Sequence, residues 1–256
     1  MSFKSFIGVS LLVGGSFARD VPSNIRNFYN NIKNNGRCNS PLASGFYSQY
    51  DDDNSFSYCG DHLEDSGVIF IQGSNGQFAN MDIDCDGTQG GPADDGRCGN
   101  SDDTQSITSF ADTVRGYGKG VDDLDAKIHP YVVFGNVGDK PGFTSFDPQA
   151  HGIEPLSIMA VVCGDKLIYG VWGDENGDDG EKSVVGEASI SLATACFGKS
   201  MTGNNGHDEN DVLYIAFTGG DAVPGRNGAR WEARSYKEFE SSIKGLGDRL
   251  IQRIQA

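Results

Sequence analysis

The chain lacks a long apolar run, has little positive charge, and carries none of the short motifs of the common metal and nucleophile sites. Its apolar stretch from Phe6 to Val13 falls well short of the ~20 residues that a spanning helix needs, and no other segment approaches it, so no membrane segment is expected. Lys and Arg number 20 against 36 Asp and Glu, a net charge of −16. That balance argues against nucleic-acid binding, which needs a positive surface. There is no Cys-x-x-Cys pair, and the four histidines show no metal-ligand spacing, so a zinc site has no support. Gly-x-Ser-x-Gly is absent, which removes the elbow of a serine hydrolase. No Asn-x-Ser/Thr sequon occurs, so N-glycosylation is not expected. Neither an internal repeat nor a Pro-rich linker divides the chain.

What is present points to export. Lys4, the apolar stretch after it and the small-x-small run Ser16-Phe17-Ala18 have the form of a signal peptide over residues 1–18. A single domain over residues 19–256 would follow, secreted and free of the membrane. All six cysteines, Cys38, Cys59, Cys85, Cys98, Cys163 and Cys196, fall in that part. An even number in an oxidising compartment predicts disulfides, with ~15 pairings open in principle. Cys85 with Cys98, across a short Gly-rich loop, is the first expected bridge.

Ser23 is placed to cap a short helix with Ile25, Phe28, Tyr29 and Ile32 on one face. A Gly/Asn/Ser-rich region follows to about residue 66, and residues 82–103, rich in Asp and Gly, read as a loop. Strands are predicted over 68–71, 131–134, 156–163, 167–172, 184–192 and 212–218 from apolar and β-branched or aromatic content. Ser235 and Glu238 form a capping box before a helical pattern that Gly245 and Gly247 weaken. The strands crowd the second half with few helices between them, unlike an alternating α/β chain. The expected class is mainly β with flanking helices (α+β), as a mostly antiparallel sheet or a small β-barrel.

Chemistry concentrates in residues 167–193. One predicted strand ends at Trp172-Gly173, and Asp174 follows at the mouth of an acidic connection. In the next, apolar Val184, Ala188, Ile190 and Leu192 alternate with Glu187, Ser189 and Ser191, which turns Glu187 away from the core. Paired as a hairpin, the strands would set Asp174 and Glu187 on either side of a groove. Glycoside hydrolysis uses two carboxyl groups in different protonation states. Glu187, partly desolvated on a sheet, suits the acid; Asp174, in a hydrated loop, suits the ionised partner. Trp172, beside Asp174, and Trp231 are candidate platforms for a sugar face, with Tyr131 and Tyr169 behind them and read as core residues. His129 before Pro130 reads as structural.

The run Tyr169-Gly170-Val171-Trp172-Gly173-Asp174 with Gly186-Glu187-Ala188-Ser189 resembles the signature of the fungal chitosanases of glycoside hydrolase family 75. Residues 81–87, Met-Asp-Ile-Asp-Cys-Asp-Gly, and 129–136, His-Pro-Tyr-Val-Val-Phe-Gly-Asn, agree with it in the same order. The resemblance implies a secreted, inverting endo-chitosanase that cuts β-1,4 links of a glucosamine polymer. It places the catalytic pair on Asp174 and Glu187. It gives the acidic composition a purpose, since carboxylates at Asp84, Asp86, Asp178, Asp179 and Glu181 would hold substrate ammonium groups. The insert at 178–181 is less typical of the family and bears on the loop's length.

Asp82-x-Asp84-x-Asp86-Gly87 also matches the first half of a calcium loop. Position 93, where an EF-hand has Glu, is Ala93, so an irregular calcium site at Asp82, Asp84 and Asp86 is the form that reading takes. No other cofactor is expected. The chain is expected to act as a monomer, with chitosan as its partner. A non-catalytic secreted carbohydrate-binding protein and a calcium-stabilised secreted structural protein stay open as rivals.

Overall fold

The computed structural model describes residues 19–49, 52–99, 101 and 104–255, so the signal peptide expected at 1–18 lies outside the described residues. In chain order the elements are β1 (Arg19–Asp20), α1 (Ser23–Asn35), β2 (Pro41–Phe46), β3 (Phe56–Cys59), α2 (Leu63–Ser66), β4 (Val68–Gln72), β5 (Ala79–Asp84), α3 (Ala111–Gly116), β6 (Tyr131–Asn136), β7 (Ile158–Cys163), β8 (Lys166–Asn176), β9 (Glu187–Ser189), α4 (Ile190–Phe197), β10 (His207–Phe217), α5 (Gly225–Gly228) and α6 (Tyr236–Leu250).

The ten strands form one sheet flanked by helices, in keeping with the α+β expectation. The sheet is mixed. β5 with β9 and β6 with β8 run parallel, and the other pairs are antiparallel. The pairings β8–β6–β9–β5–β10–β7–β8 return to their starting strand. That circuit matters for function because it brings β6, β8 and β9 side by side from distant stretches of sequence.

Burial follows the apolar content. Residues 68–71, 158–162 and 212–217 are fully enclosed, as strands covered on both faces must be. α1 lays Ile25, Phe28 and Ile32 on this core, and α6 lays Phe239, Ile243 and Leu250. Ser235 caps α6 as expected, accepting the Glu238 amide, while the Glu238 carboxylate accepts the Arg234 amide at 2.9 Å. Gly247 does not break this helix. A Cβ there would lie 2.5 Å from the Tyr169 ring, so glycine is what lets the helix approach β8 closely.

Other local expectations are corrected. Ser23 is the first residue of α1, behind Pro22, and makes no capping bond. The strand expected over 184–192 is only three residues long, because Ser189 accepts the Leu192 amide and starts α4. β8 and β9 form no hairpin; β6 lies between them. The bridges are Cys38–Cys59, Cys163–Cys196 and the expected Cys85–Cys98, and no described cysteine is free.

Candidate active site

The register of three strands builds the site. Val133 of β6 is paired with Asp174 of β8 on one side and with Glu187 of β9 on the other. Paired residues share a sheet face, so the two carboxyl groups look into the same space from either side of Val133. A bulge sets this up. Trp172 pairs with Val132, whereas Asp174 pairs with Val133, which leaves Gly173 as an extra residue. Val132 and Val133 point to opposite faces, and so therefore do Trp172 and Asp174. A Cβ at Gly173 would come within 2.5 Å of the Tyr131 Cβ, so only glycine fits the bulge.

This corrects the reading of Trp172. Its exposure is 0%, Phe110 packs edge-on against it, and its Nε1 donates to the Asp174 carbonyl at 2.8 Å. It offers no ring face to a sugar and instead fixes the backbone beneath Asp174. Trp231, Tyr131 and Tyr169 are core residues too. His129 accepts the Asp125 amide at 2.8 Å and donates to the Trp231 carbonyl at 2.9 Å, a structural role.

Asp174 and Glu187 line a cleft of about 710 Å³ together with Asp84, Asp86, Glu175, Asp178, Asp179 and Lys182. Seven carboxyl groups thus face one ammonium. Of the expected binding residues, Glu181 lies outside this lining. Asp178 is partly committed elsewhere, since its Oδ2 accepts the Asp139 and Lys140 amides at 2.8 Å each. Those bonds hold its carboxyl below the usual range and tie the acidic insert to the chain after β6.

Asp174 is not in a hydrated loop. It sits near the end of β8, buried, with Oδ1 accepting the Ser109 amide, the Ser109 hydroxyl and the Glu175 amide, the two amides at 2.9 Å. Burial raises its pKa and the Ser109 bonds oppose the rise. Ser109 is itself held in place, because neighbouring Thr108 donates from its amide and its hydroxyl to Asp123, at 2.8 and 2.6 Å. Sequence reading missed Ser109 entirely. No motif marks it, and it reaches Asp174 only through the fold.

Asp82 and Asp84 lie on β5 rather than in a loop, and both are buried. Burial, reinforced by Glu187, Asp174 and Asp86, pushes Asp84 well above the usual carboxylate range. Asp82 faces different partners. Asn80 donates to it at 3.0 Å, and the Gln49 amide, turned nitrogen-inward, donates to both its oxygens at 3.1 Å. The trio whose oxygens converge within 4.8 Å is Asp84, Asp86 and Asp174, not Asp82, Asp84 and Asp86, so the calcium loop read from the sequence does not form as a unit.

Burial pushes Asp82 up to about 7, and Glu175 up to about 7 with the charges of Asp147 and Asp174 added. Both folded values exceed the ~3.9–4.3 of unfolded side chains. The stability they contribute is complete below the unfolded value and is lost as pH rises through the folded one. The melting temperature is therefore expected to fall between about pH 4.5 and about pH 7.5, and Asp82→Asn should flatten the fall. A melting temperature that climbs across this window would contradict the assignment.

The sequence profile of the family described as fungal chitosanase of glycosyl hydrolase group 75 matches residues 81–253, a span that contains every residue of this cleft. The chain belongs to that family. Among relatives of these chitosanases, an endo-chitosanase of Aspergillus fumigatus is 48% identical over 247 residues, 96% of each chain. Endo-chitosanase B of Aspergillus oryzae is 45% identical over 260 residues, the whole of both. Endo-chitosanase C of Aspergillus oryzae is 31% identical over 184 residues, 71% of this chain and 41% of that one.

Proposed function

We propose that this cleft cuts β-1,4 links between glucosamine units of chitosan with inversion, Glu187 acting as general acid and Asp174 as general base for water. The activity is that of an endo-chitosanase, a glycoside hydrolase. The observation that supports this reading is the register: both carboxyl residues pair with Val133 from opposite sides, so they enter one cleft from separate strands with a third between them. Inversion needs room for a water between its two carboxyl groups, ~6.5–9.5 Å apart, and an intervening strand leaves space for it.

The division of roles follows from the donors. Burial raises the pKa of Asp174, and three hydrogen bonds to its Oδ1 oppose that rise and support the ionised form. The other oxygen is left to take a proton from water. Glu187, half-buried across the cleft, is then the group that protonates the leaving oxygen. The acidic lining attracts a polycation and raises its local concentration. Asp84, Asp86 and Asp179 serve as ammonium contacts in this reading. Export is proposed with it, supported by the leader-like residues 1–18, by three disulfides, and by the lack of any described helix long and apolar enough to cross a membrane.

The anomeric form of fresh product tests the mechanism. Proton NMR during hydrolysis should show the α-anomer first, because inversion at a β-linkage yields it. Initial release of the β-anomer would overturn the inverting assignment.

A further inference from the structure

We propose that Ile107 is a substrate-binding residue of the cleft, where its side chain lies against the apolar C–H face of a glucosamine ring. This rests on the reading of the cleft as the site where chitosan binds.

Among the described residues Ile107 is the one large apolar side chain that stands exposed, at 53%. It lines the acidic cleft. Of the other aliphatic residues there, Ile83 and Val133 are buried, and Val137 and Val184 are half-buried. Trp172 is enclosed, with its ring nitrogen turned to the Asp174 carbonyl. Ile107 is therefore the most exposed apolar side chain that the described cleft offers to a ligand.

Its place is fixed from both sides. Before it, the Gln105 amide donates to Asp86 Oδ1 at 2.6 Å, and the Gln105 carbonyl accepts the Gly87 amide at 3.1 Å. After it, Thr108 is tied to Asp123 and Ser109 to Asp174. Thr108 is buried, whereas Ile107 and Ser109 on either side of it are exposed, and both line the cleft. The residue that anchors the proposed base and the apolar contact thus stand two positions apart on one pinned segment.

The carboxylates attract a polycation, but attraction over a broad acidic surface sets neither the height nor the tilt of a sugar ring. A β-linked glucosamine ring carries its polar groups around its rim and C–H groups on its two faces. Laying one face on Ile107 removes apolar surface of both from water. Isoleucine is branched at Cβ and stiff at χ1, so the contact costs little rotamer freedom. The ring is then held by charge at its rim and by the aliphatic side chain at its face, beside Ser109 and Asp174.

Ile107→Ala removes most of that surface, and Ile107→Leu keeps it. Steady-state kinetics on fully deacetylated chitosan, at low and at moderate salt, would compare both with wild type. In Ile107→Ala KM should rise about tenfold, the effect of about two buried methylene groups, with kcat changing by less than about twofold. The rise relative to wild type should persist at the higher salt, because an apolar contact is not screened. Ile107→Leu should stay within about threefold of wild type. Both variants should melt with wild type, since the side chain is exposed. An unchanged KM in Ile107→Ala, a rise that vanishes with salt, or a loss in kcat alone would overturn the proposal. So would a loss confined to N-acetylated polymer, which would assign Ile107 to the acetyl methyl, or a melting temperature clearly below wild type, which would assign it to packing. Asp174→Asn assayed in parallel keeps the two readings apart. Turnover surviving in that variant would count against the two-carboxyl mechanism and leave the KM ratio set by Ile107 standing.

Discussion

Asp174→Asn and Glu187→Gln are each expected to lower kcat on chitosan by about 10²–10⁴-fold, the loss that follows removal of a general acid or base. Both variants should stay folded. In Asp174→Asn the new side-chain oxygen still accepts the Ser109 and Glu175 amides, so the segment around Ser109 keeps its anchor. Burial already works against a charge at position 174, and the amide carries none. The melting temperature of that variant should equal or exceed that of wild type. Glu187 is half-buried on a short strand whose register is set by backbone pairing with Asp82 and Val133, which the amide leaves intact. A loss in kcat with KM nearly unchanged marks a group acting on the transition state. Rates near wild type in either variant, measured with the protein shown to be folded, would remove that residue from the mechanism.

The sequence revealed the strands that are apolar throughout, at 68–71, 131–134, 158–163 and 167–172, because a strand buried on both faces reads as an unbroken apolar run. β2 and β5 were hidden for opposite reasons. β2 carries Pro41 and Gly45, which signal a turn when no partner is in view. β5 spaces Asn80, Asp82 and Asp84 along one face, and local composition alone calls that a hydrated loop. Its polar side chains are buried against groups from distant segments, Gln49 at Asp82 and Asp174 and Glu187 at Asp84, and none of these is close in sequence. The parallel pairings were equally out of reach, since period and composition carry no record of which distant strands meet.

At the site, the resemblance singles out Asp174 and Glu187, and the structure brings the two to one face through Val133 and not through a hairpin. Adjacency to Asp174 misplaced Trp172, because the bulge at Gly173 puts the two on opposite faces. Strict alternation overextended β9, because Ser189 fits a polar strand position and a helix cap equally well, and the tertiary context chose the cap. The apolar run of β8 stops at Trp172, so composition does not show that pairing carries the strand on to Asn176. Ser109 and Asp123 left no trace at all. Their contribution is to hold Asp174 from a segment some sixty residues away, and nothing short of the fold reveals that kind of support.

Removing the Cys163–Cys196 bridge as a double alanine variant is expected to cost about 4 kcal/mol, more than the ~3 kcal/mol expected for Cys85–Cys98. The loops differ in length, 33 residues of separation against 13, and the longer one frees more entropy in the unfolded chain when it opens. Both cysteines are buried, so alanine avoids placing an unpartnered hydroxyl there. The effect should reach the chemistry as well as the fold. Cys196 lies in α4, which begins directly after β9 and Glu187, and the bridge fastens that helix to the end of β7. Lys166 adds a second clamp by donating to the Ala195 carbonyl at 3.2 Å and to the carbonyl of Cys196. With the bridge gone, the C-terminal end of the helix rests on that clamp and on packing, while the Ser191 amide on the Ala126 carbonyl and Arg97 on the Thr194 hydroxyl still hold its first turns, so kcat should drop at temperatures below the melting point. The Cys85–Cys98 variant should show a smaller loss of stability but a comparable kinetic effect, because Cys85 sits between Asp84 and Asp86 on the cleft wall. Denaturant melts of the two variants, with activity followed at each temperature, separate the entropic contribution from the positional one. Midpoints equal to that of wild type in both would show that the bridges do not stabilise the native chain.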